Sequence, residues 1–145
     1  MSEEKIILGV DWGRARVGLA VCDGLGLMAH PAGMLAVKSF PALIESLALA
    51  AVEHRASEIV VGFPRNMDGT EGESAAAVRR FSEQLGAATG LPIVLWDERL
   101  STWEAEKLLV ERPHLSRAQK KEAKDQIAAC LVLQSYLNSR RRPAP

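Results

Sequence analysis

The stretch GVDWGRARVGLAVCD, Gly9–Asp23, decides how the rest of the chain is read. An apolar run, Ile6–Val10, ends at Asp11. The polar connection DWGRAR then leads into a second apolar run, Val17–Cys22. Short continuous apolar runs suit strands buried on both faces. A connection this short makes the two strands antiparallel neighbours. The polar tip admits two readings. It is the solvated end of a hairpin, or it fixes the Asp11 carboxylate where it can hold a cation.

Outward from the hairpin, His30–Val37 reads as a third strand whose start is blurred by Pro31 and Gly33. Ser39 caps a helix over Pro41–His54. EIVVGFP is a fourth strand, followed by the polar loop RNMDGTEGE. Thr70 and Glu73 form a capping box for a helix over 74–89, which Gly90 and Pro92 stop. IVLW is a fifth strand and breaks into DERLST. Ser101 and Glu104 are a second capping box, for a helix to about Val110. Pro113 interrupts, and Ser116 with Gln119 opens a last helix to about Asn138. Antiparallel strands followed by strand–helix alternation predict an α/β chain, a mixed sheet with helices on its faces. One domain is expected over 1–139, with a basic, disordered tail at 140–145.

Composition narrows the function classes. Hydrophobic residues make up 48% of the 145 and charged residues 25%, as in ordinary globular proteins. The formal net charge is 0, so any affinity for nucleic acid must come from a local patch. Cys22 and Cys130 both lie in apolar runs, which suits buried free thiols in a reducing compartment. The N-terminus MSEEKIILGV lacks the architecture of a signal peptide. No apolar run approaches the roughly 20 residues needed to span a bilayer. The expectation is a cytoplasmic protein with no membrane partner.

Three acidic sites stand out, two directly after strands and one within the last helix near its start. Asp11 follows the first strand, and Asp97 and Glu98 follow the fifth. Asp125 precedes the apolar stretch IAACLVL and shares a helical stripe with Ala128, Ala129 and Val132. That stripe should face the sheet. The alternative is an exposed acid favouring the N-terminal end of its helix. Carboxylates that converge repel one another, and burial disfavours their charged forms. A divalent cation resolves the conflict, and hard ions such as Mg²⁺ or Mn²⁺ take oxygen ligands. His30, His54 and His114 stand alone, and no histidine or cysteine cluster has zinc spacing. Carboxylate-held Mg²⁺ or Mn²⁺ is hardware for phosphodiester hydrolysis, commonly with two ions.

Basic residues surround the same element ends. Arg14 and Arg16 lie on the hairpin tip, Arg65 and Asn66 follow the fourth strand, and Arg99 follows Glu98. Lys121 and Lys124 belong to a basic run at the start of the last helix. Arginine's planar fork suits phosphate. These residues are candidate nucleic-acid contacts; the bland reading is a solvated helix face. Trp12 and Trp103 flank the acidic motifs and either stack bases or pack in the core, whereas Trp96, within a strand, reads as core. Gly13, Gly18, Gly62 and Gly69 read as serving turns or close packing. GRARVG lies between two strands, so it is no dinucleotide fingerprint.

The motifs GVDWGRARVGLAV, IVVGFPRNMDGTEGE, DERLST and DQIAACLVLQSYL, in this order, resemble the YqgF/RuvX family, relatives of RuvC-type Holliday junction resolvases. The resemblance implies a ribonuclease H-like fold with a central five-stranded mixed sheet, three antiparallel strands then parallel ones, flanked by helices. It implies an active site of Asp11, Glu98 and Asp125 and metal-dependent cleavage of nucleic acid. On a strand, neighbouring residues point to opposite faces, so only one of Asp97 and Glu98 can join Asp11. Glu98 is favoured, and Asp97 is kept as supporting. The implied activity is 5′-end maturation of precursor 16S ribosomal RNA. Resolution of Holliday junctions is the alternative, and a nucleic-acid-binding, transcription-associated protein with little cleavage is a third. Precursor rRNA or branched DNA would be the partner, met by a monomer or a homodimer. An actin-like ATP-binding fold ranks last, because 145 residues are too few for its two lobes.

Overall fold

A computed structural model describes residues 5–12, 16–26, 28–63, 73–97 and 116–141. At 63, 73–75, 97, 117–126 and 141 it describes the backbone alone. The strands are β1 (Ile7–Asp11), β2 (Arg16–Cys22), β3 (Ala29–Ala36), β4 (Glu58–Phe63) and β5 (Ile93–Asp97). The helices are α1 (Phe40–Glu53), α2 (Glu73–Thr89) and α3 (Arg117–Arg141). The strands form one sheet in the order β3-β2-β1-β4-β5. β1 pairs antiparallel with β2 and parallel with β4. β2 pairs antiparallel with β3, and β4 parallel with β5. This is the mixed sheet the sequence predicts, with antiparallel strands first and parallel strands after.

β1 is the central strand, and all five of its residues are buried, which explains the uninterrupted ILGVD. Edge strand β3 accommodates Pro31, whose missing N–H costs least at an edge. The ladder to β2 slips between Leu19 and Ala20, where Leu19 pairs with Gly33 and Ala20 with Pro31. Gly33 has φ 114°, a left-handed value that favours glycine, so the blurred start is a bulge.

Helices cover both faces. Leu8, Val10, Val17, Leu19, Ile59 and Val61 pack under α1 and α2, against Leu43, Leu47, Val78, Phe81 and Leu85. Ile7, Ala20, Cys22 and Val60 pack under α3, against Ala129, Val132, Leu133, Tyr136 and Leu137. Burial of some twenty apolar side chains in these two layers is the main stabilising contribution. The start of α1 and the end of α2 follow the expected chemistry, while the capping box expected at Thr70 and Glu73 lies outside the described side chains. Ser39 Oγ accepts from Ala42 N at 3.2 Å, and Gly90, at φ 72°, donates to the Gly86 carbonyl and ends α2.

The last helix outruns its expected end near Asn138: α3 continues to Arg141. The physical reason is a tertiary anchor. Arg140 Nη1 donates to Glu58 Oε1 at 3.1 Å, and the Tyr136 hydroxyl donates to Glu58 Oε2 at 2.9 Å. The guanidinium also lies 5.6 Å from the centre of the Tyr136 ring. Arg140 and Arg141 therefore belong to the helix rather than to a tail, while 142–145 lie outside the described residues. So does the helix expected from Ser101 to Val110.

Candidate active site

Asp11 closes β1 and is 9% exposed, a burial that a charged carboxylate tolerates only with cationic or hydrogen-bonding company. Its face follows from alternation along the strand. Leu8 and Val10 point to α1 and α2, whereas Ile7 points to α3. Gly9 also looks toward α3, since a Cβ there would lie 2.8 Å from Leu133 Cβ. Asp11 is therefore on the α3 face. Trp12, one residue on, is on the other face and packs against Phe81 at 4.5 Å and Phe40 at 6.1 Å between ring centres. Of the two uses open to Trp12 in the sequence, the structure gives core packing.

The register fixes Asp11's neighbours. It pairs with Gly18 on β2 and Gly62 on β4, and Gly62 pairs with Trp96 on β5. Trp96 lies on the α3 face, where its Nε1 donates to Ser135 Oγ at 3.1 Å and its ring meets Tyr136 edge-on at 5.4 Å. The core reading of Trp96 holds. Asp97 pairs with Phe63, one row beyond Asp11, and so is out of phase with it. Arg16 opens β2 two residues before Gly18, in phase with the α3 face, and is half-buried.

α3 runs antiparallel to β1. Tyr136 reaches Glu58 at the start of β4, Leu133 lies over Gly9, and Val132 lies over Gly62 at the height of Asp11. Moving toward the N-terminus of α3 thus means moving toward the Asp11 end of the sheet. Position 125 lies four residues before Ala129 and seven before Val132, on the stripe that meets the sheet. The backbone brings position 125 toward the same end of the same face as Asp11. Positions 121 and 124 lie one turn or less further along α3. Glu98, Arg14, Arg65, Asn66 and Arg99 lie outside the described residues. Trp103 does too.

The C-terminal ends of the parallel strands β1, β4 and β5 face one way, and in open α/β sheets that edge is where ligands bind. Asp11, the described carboxylate at that edge, offers oxygen donors. Among the described residues no three of His, Cys, Asp and Glu come together as a metal group. Cys22 is committed elsewhere: Ile7 N donates to its Sγ at 3.1 Å, and burial pushes its thiol up. Cys130 is free, and burial pushes it up to about 11. His30 lies on edge strand β3 and His54 caps α1. A buried carboxylate with no soft donor beside it among the described residues fits a hard divalent cation rather than zinc.

The role of Gly9 escaped the sequence reading. The available signal was a glycine between Ile7 and Asp11, the phase that would otherwise carry a large apolar side chain.

A family model described as RuvX, Holliday junction resolvase, matches residues 5–139. A Pelotomaculum thermopropionicum protein named "Putative pre-16S rRNA nuclease" is 44% identical over 138 residues, covering 94% of this chain and 89% of its own. A Myxococcus xanthus protein of the same name is 43% identical over 136 residues, with coverage of 94% and 89%. Among solved structures, Thermus thermophilus RuvC in complex with a Holliday junction substrate aligns with a TM-score of 0.58 at 16% identity, covering 94% of this chain and 95% of that one. The Fowlpox virus resolvase in complex with Holliday junction DNA aligns with a TM-score of 0.59 at 11% identity, covering 94% and 99%. At these identities the two structures speak to the fold, which is ribonuclease H-like. Among the described residues, no helix is long and apolar enough to cross a membrane.

Proposed function

The chain belongs to the RuvX family, and from that premise we propose that it is a metal-dependent endonuclease acting in 5′-end processing of precursor 16S rRNA. The observation that carries the nuclease reading is the buried Asp11, at the C-terminal end of the central strand, on the face where α3 brings position 125. The names of the relatives supply the substrate. The compartment proposed is the cytoplasm.

Asp11, Glu98 and Asp125 would hold Mg²⁺ or Mn²⁺, in a pair of ions. Strand phase supports Glu98 over Asp97. Position 97 pairs one row beyond Asp11 and is out of phase with it, which leaves Glu98 as the favoured acid. Bound there, the ions supply the Lewis acidity that lowers the pKa of water and offsets charge on the phosphate. The protein's own part is to hold and orient. Asp11 is fixed by pairing on both sides of β1, and Asp125 by the docking of α3. Arg14, Arg16, Arg65, Asn66, Arg99, Lys121 and Lys124 would grip the phosphates, with the arginines engaging two oxygens at once.

A second reading, resolution of branched DNA, is favoured by the family's printed description. The test offers precursor 16S RNA and a four-way DNA junction to the protein with Mg²⁺ or Mn²⁺. Cleavage at the RNA 5′ end, abolished by chelation, is the expected result. Cleavage of the junction alone would transfer the assignment to resolution. Binding without cleavage of either would make the chain a nucleic-acid-binding protein.

A further inference from the structure

Two strand glycines lie directly beneath α3. A Cβ at Gly9 would stand 2.8 Å from Leu133 Cβ and 3.5 Å from the Ala129 carbonyl oxygen. A Cβ at Gly62 would stand 2.8 Å from Val132 Cγ2 and 3.0 Å from Cγ1. Contacts below 3.0 Å are essentially never made by real Cβ atoms, so neither site accepts one without movement. Neither glycine has a left-handed φ; the positive-φ glycines are Gly26, Gly33 and Gly90. Their conformation therefore does not demand glycine, and glycine inside a strand weakens it. What they provide is the missing side chain. On the opposite face the flanking strand positions carry Leu8, Val10, Ile59 and Val61.

Both glycines adjoin Asp11. Gly9 precedes it by two residues on the same face, and Gly62 is its partner across the β1–β4 ladder. The helix residues they admit, Val132 and Leu133, lie seven and eight residues from position 125, about two turns along α3.

We propose that Gly9 and Gly62 are positioning residues: their bare backbone sets how closely α3 lies on the sheet, and thereby the separation of Asp11 from Asp125. The inference rests on the carboxylate site proposed above. An added methyl must push on Leu133 or Val132, and a packed interior passes such a push along a rigid helix. Metal geometry is sensitive to displacements of this kind, and altered support around ligands costs metal affinity about 10- to 100-fold.

The test is a Mn²⁺ titration without nucleic acid, reading free ion by electron paramagnetic resonance, with folding followed by circular dichroism. Gly62→Ala is expected to bind Mn²⁺ about tenfold more weakly while remaining folded. Adding Val132→Ala removes the two Cγ atoms the new methyl meets, and is expected to restore wild-type affinity. Val132→Ala alone should lower the thermal midpoint and leave affinity unchanged, which separates positioning from general destabilisation. Should Gly62→Ala not fold, Gly9→Ala makes the same comparison. Wild-type affinity in the folded glycine variants would overturn the inference, as would a double variant as weak as Gly62→Ala. Asp11→Asn keeps the two failures apart. If Asp11→Asn loses Mn²⁺ and the glycine variants do not, the positioning role alone falls. If Asp11→Asn keeps Mn²⁺, the site itself is wrong.

Discussion

At the scale of single residues, the proposed site makes Glu98 rather than Asp97 the partner of Asp11, because position 97 pairs one row beyond Asp11 and is out of phase with it. Glu98→Gln is predicted to reduce cleavage by about 100-fold or more, in line with a loss of roughly 3 kcal/mol of transition-state stabilisation. Asp97→Asn should cost far less, and steady-state rates on one RNA substrate compare the two directly. The thiols offer a second check. Burial pushes Cys130 from 9.0 up to about 11. At pH 8 its thiolate fraction then falls about 100-fold below that of an unshifted thiol, since each pKa unit is a factor of ten. Native protein should react slowly with a thiol reagent, and unfolded protein should release both thiols quickly. Asp11 was legible in the sequence because an acid directly after a buried strand breaks a strong pattern. Gly9 was not read, because a glycine in a strand reveals its function only when the element above it is known.

At the scale of elements, local chemistry and long-range pairing divide what could be foreseen. α1 was legible because its signals all lie within one short stretch of chain: Ser39, Pro41 and the apolar spacing of Leu43, Leu47 and Ala51. Ser39→Ala should cost about 1 kcal/mol, seen as a lower thermal midpoint. The end of α3 was missed because what extends it is Glu58, 78 residues from Tyr136 and 82 from Arg140. No window along the chain contains that pairing. Burial, then Glu58, holds the Tyr136 hydroxyl above its ordinary 10.0. A hydroxyl raised in the folded state contributes stability that is intact below pH 10 and lost as pH rises through the folded value. Tyr136→Phe should therefore flatten the alkaline fall in stability. The share of the two raised thiols persists in both proteins. Denaturant unfolding from pH 8 to 11 measures the difference.

At the scale of the whole molecule, the layering brings Asp11, the ends of β4 and β5 and the N-terminal half of α3 toward one edge of the sheet. β1 ends there with Asp11, the parallel strands β4 and β5 end there, and α3 begins there because it runs against β1. The sequence predicted the mixed sheet because hairpin and strand–helix signals occur in separate halves of the chain. The direction and closeness of α3 were beyond it, since they depend on the Gly9–Leu133 and Gly62–Val132 contacts between distant segments. The most direct test of the central claim replaces one atom of that edge. Asp11→Asn keeps the shape of the side chain and removes the negative charge proposed to hold the metal. The measurement pairs cleavage of precursor 16S RNA in Mg²⁺ with binding of the same RNA by filter retention. The account predicts that cleavage disappears while binding persists, because the basic contacts are untouched. Cleavage at the wild-type rate would contradict it.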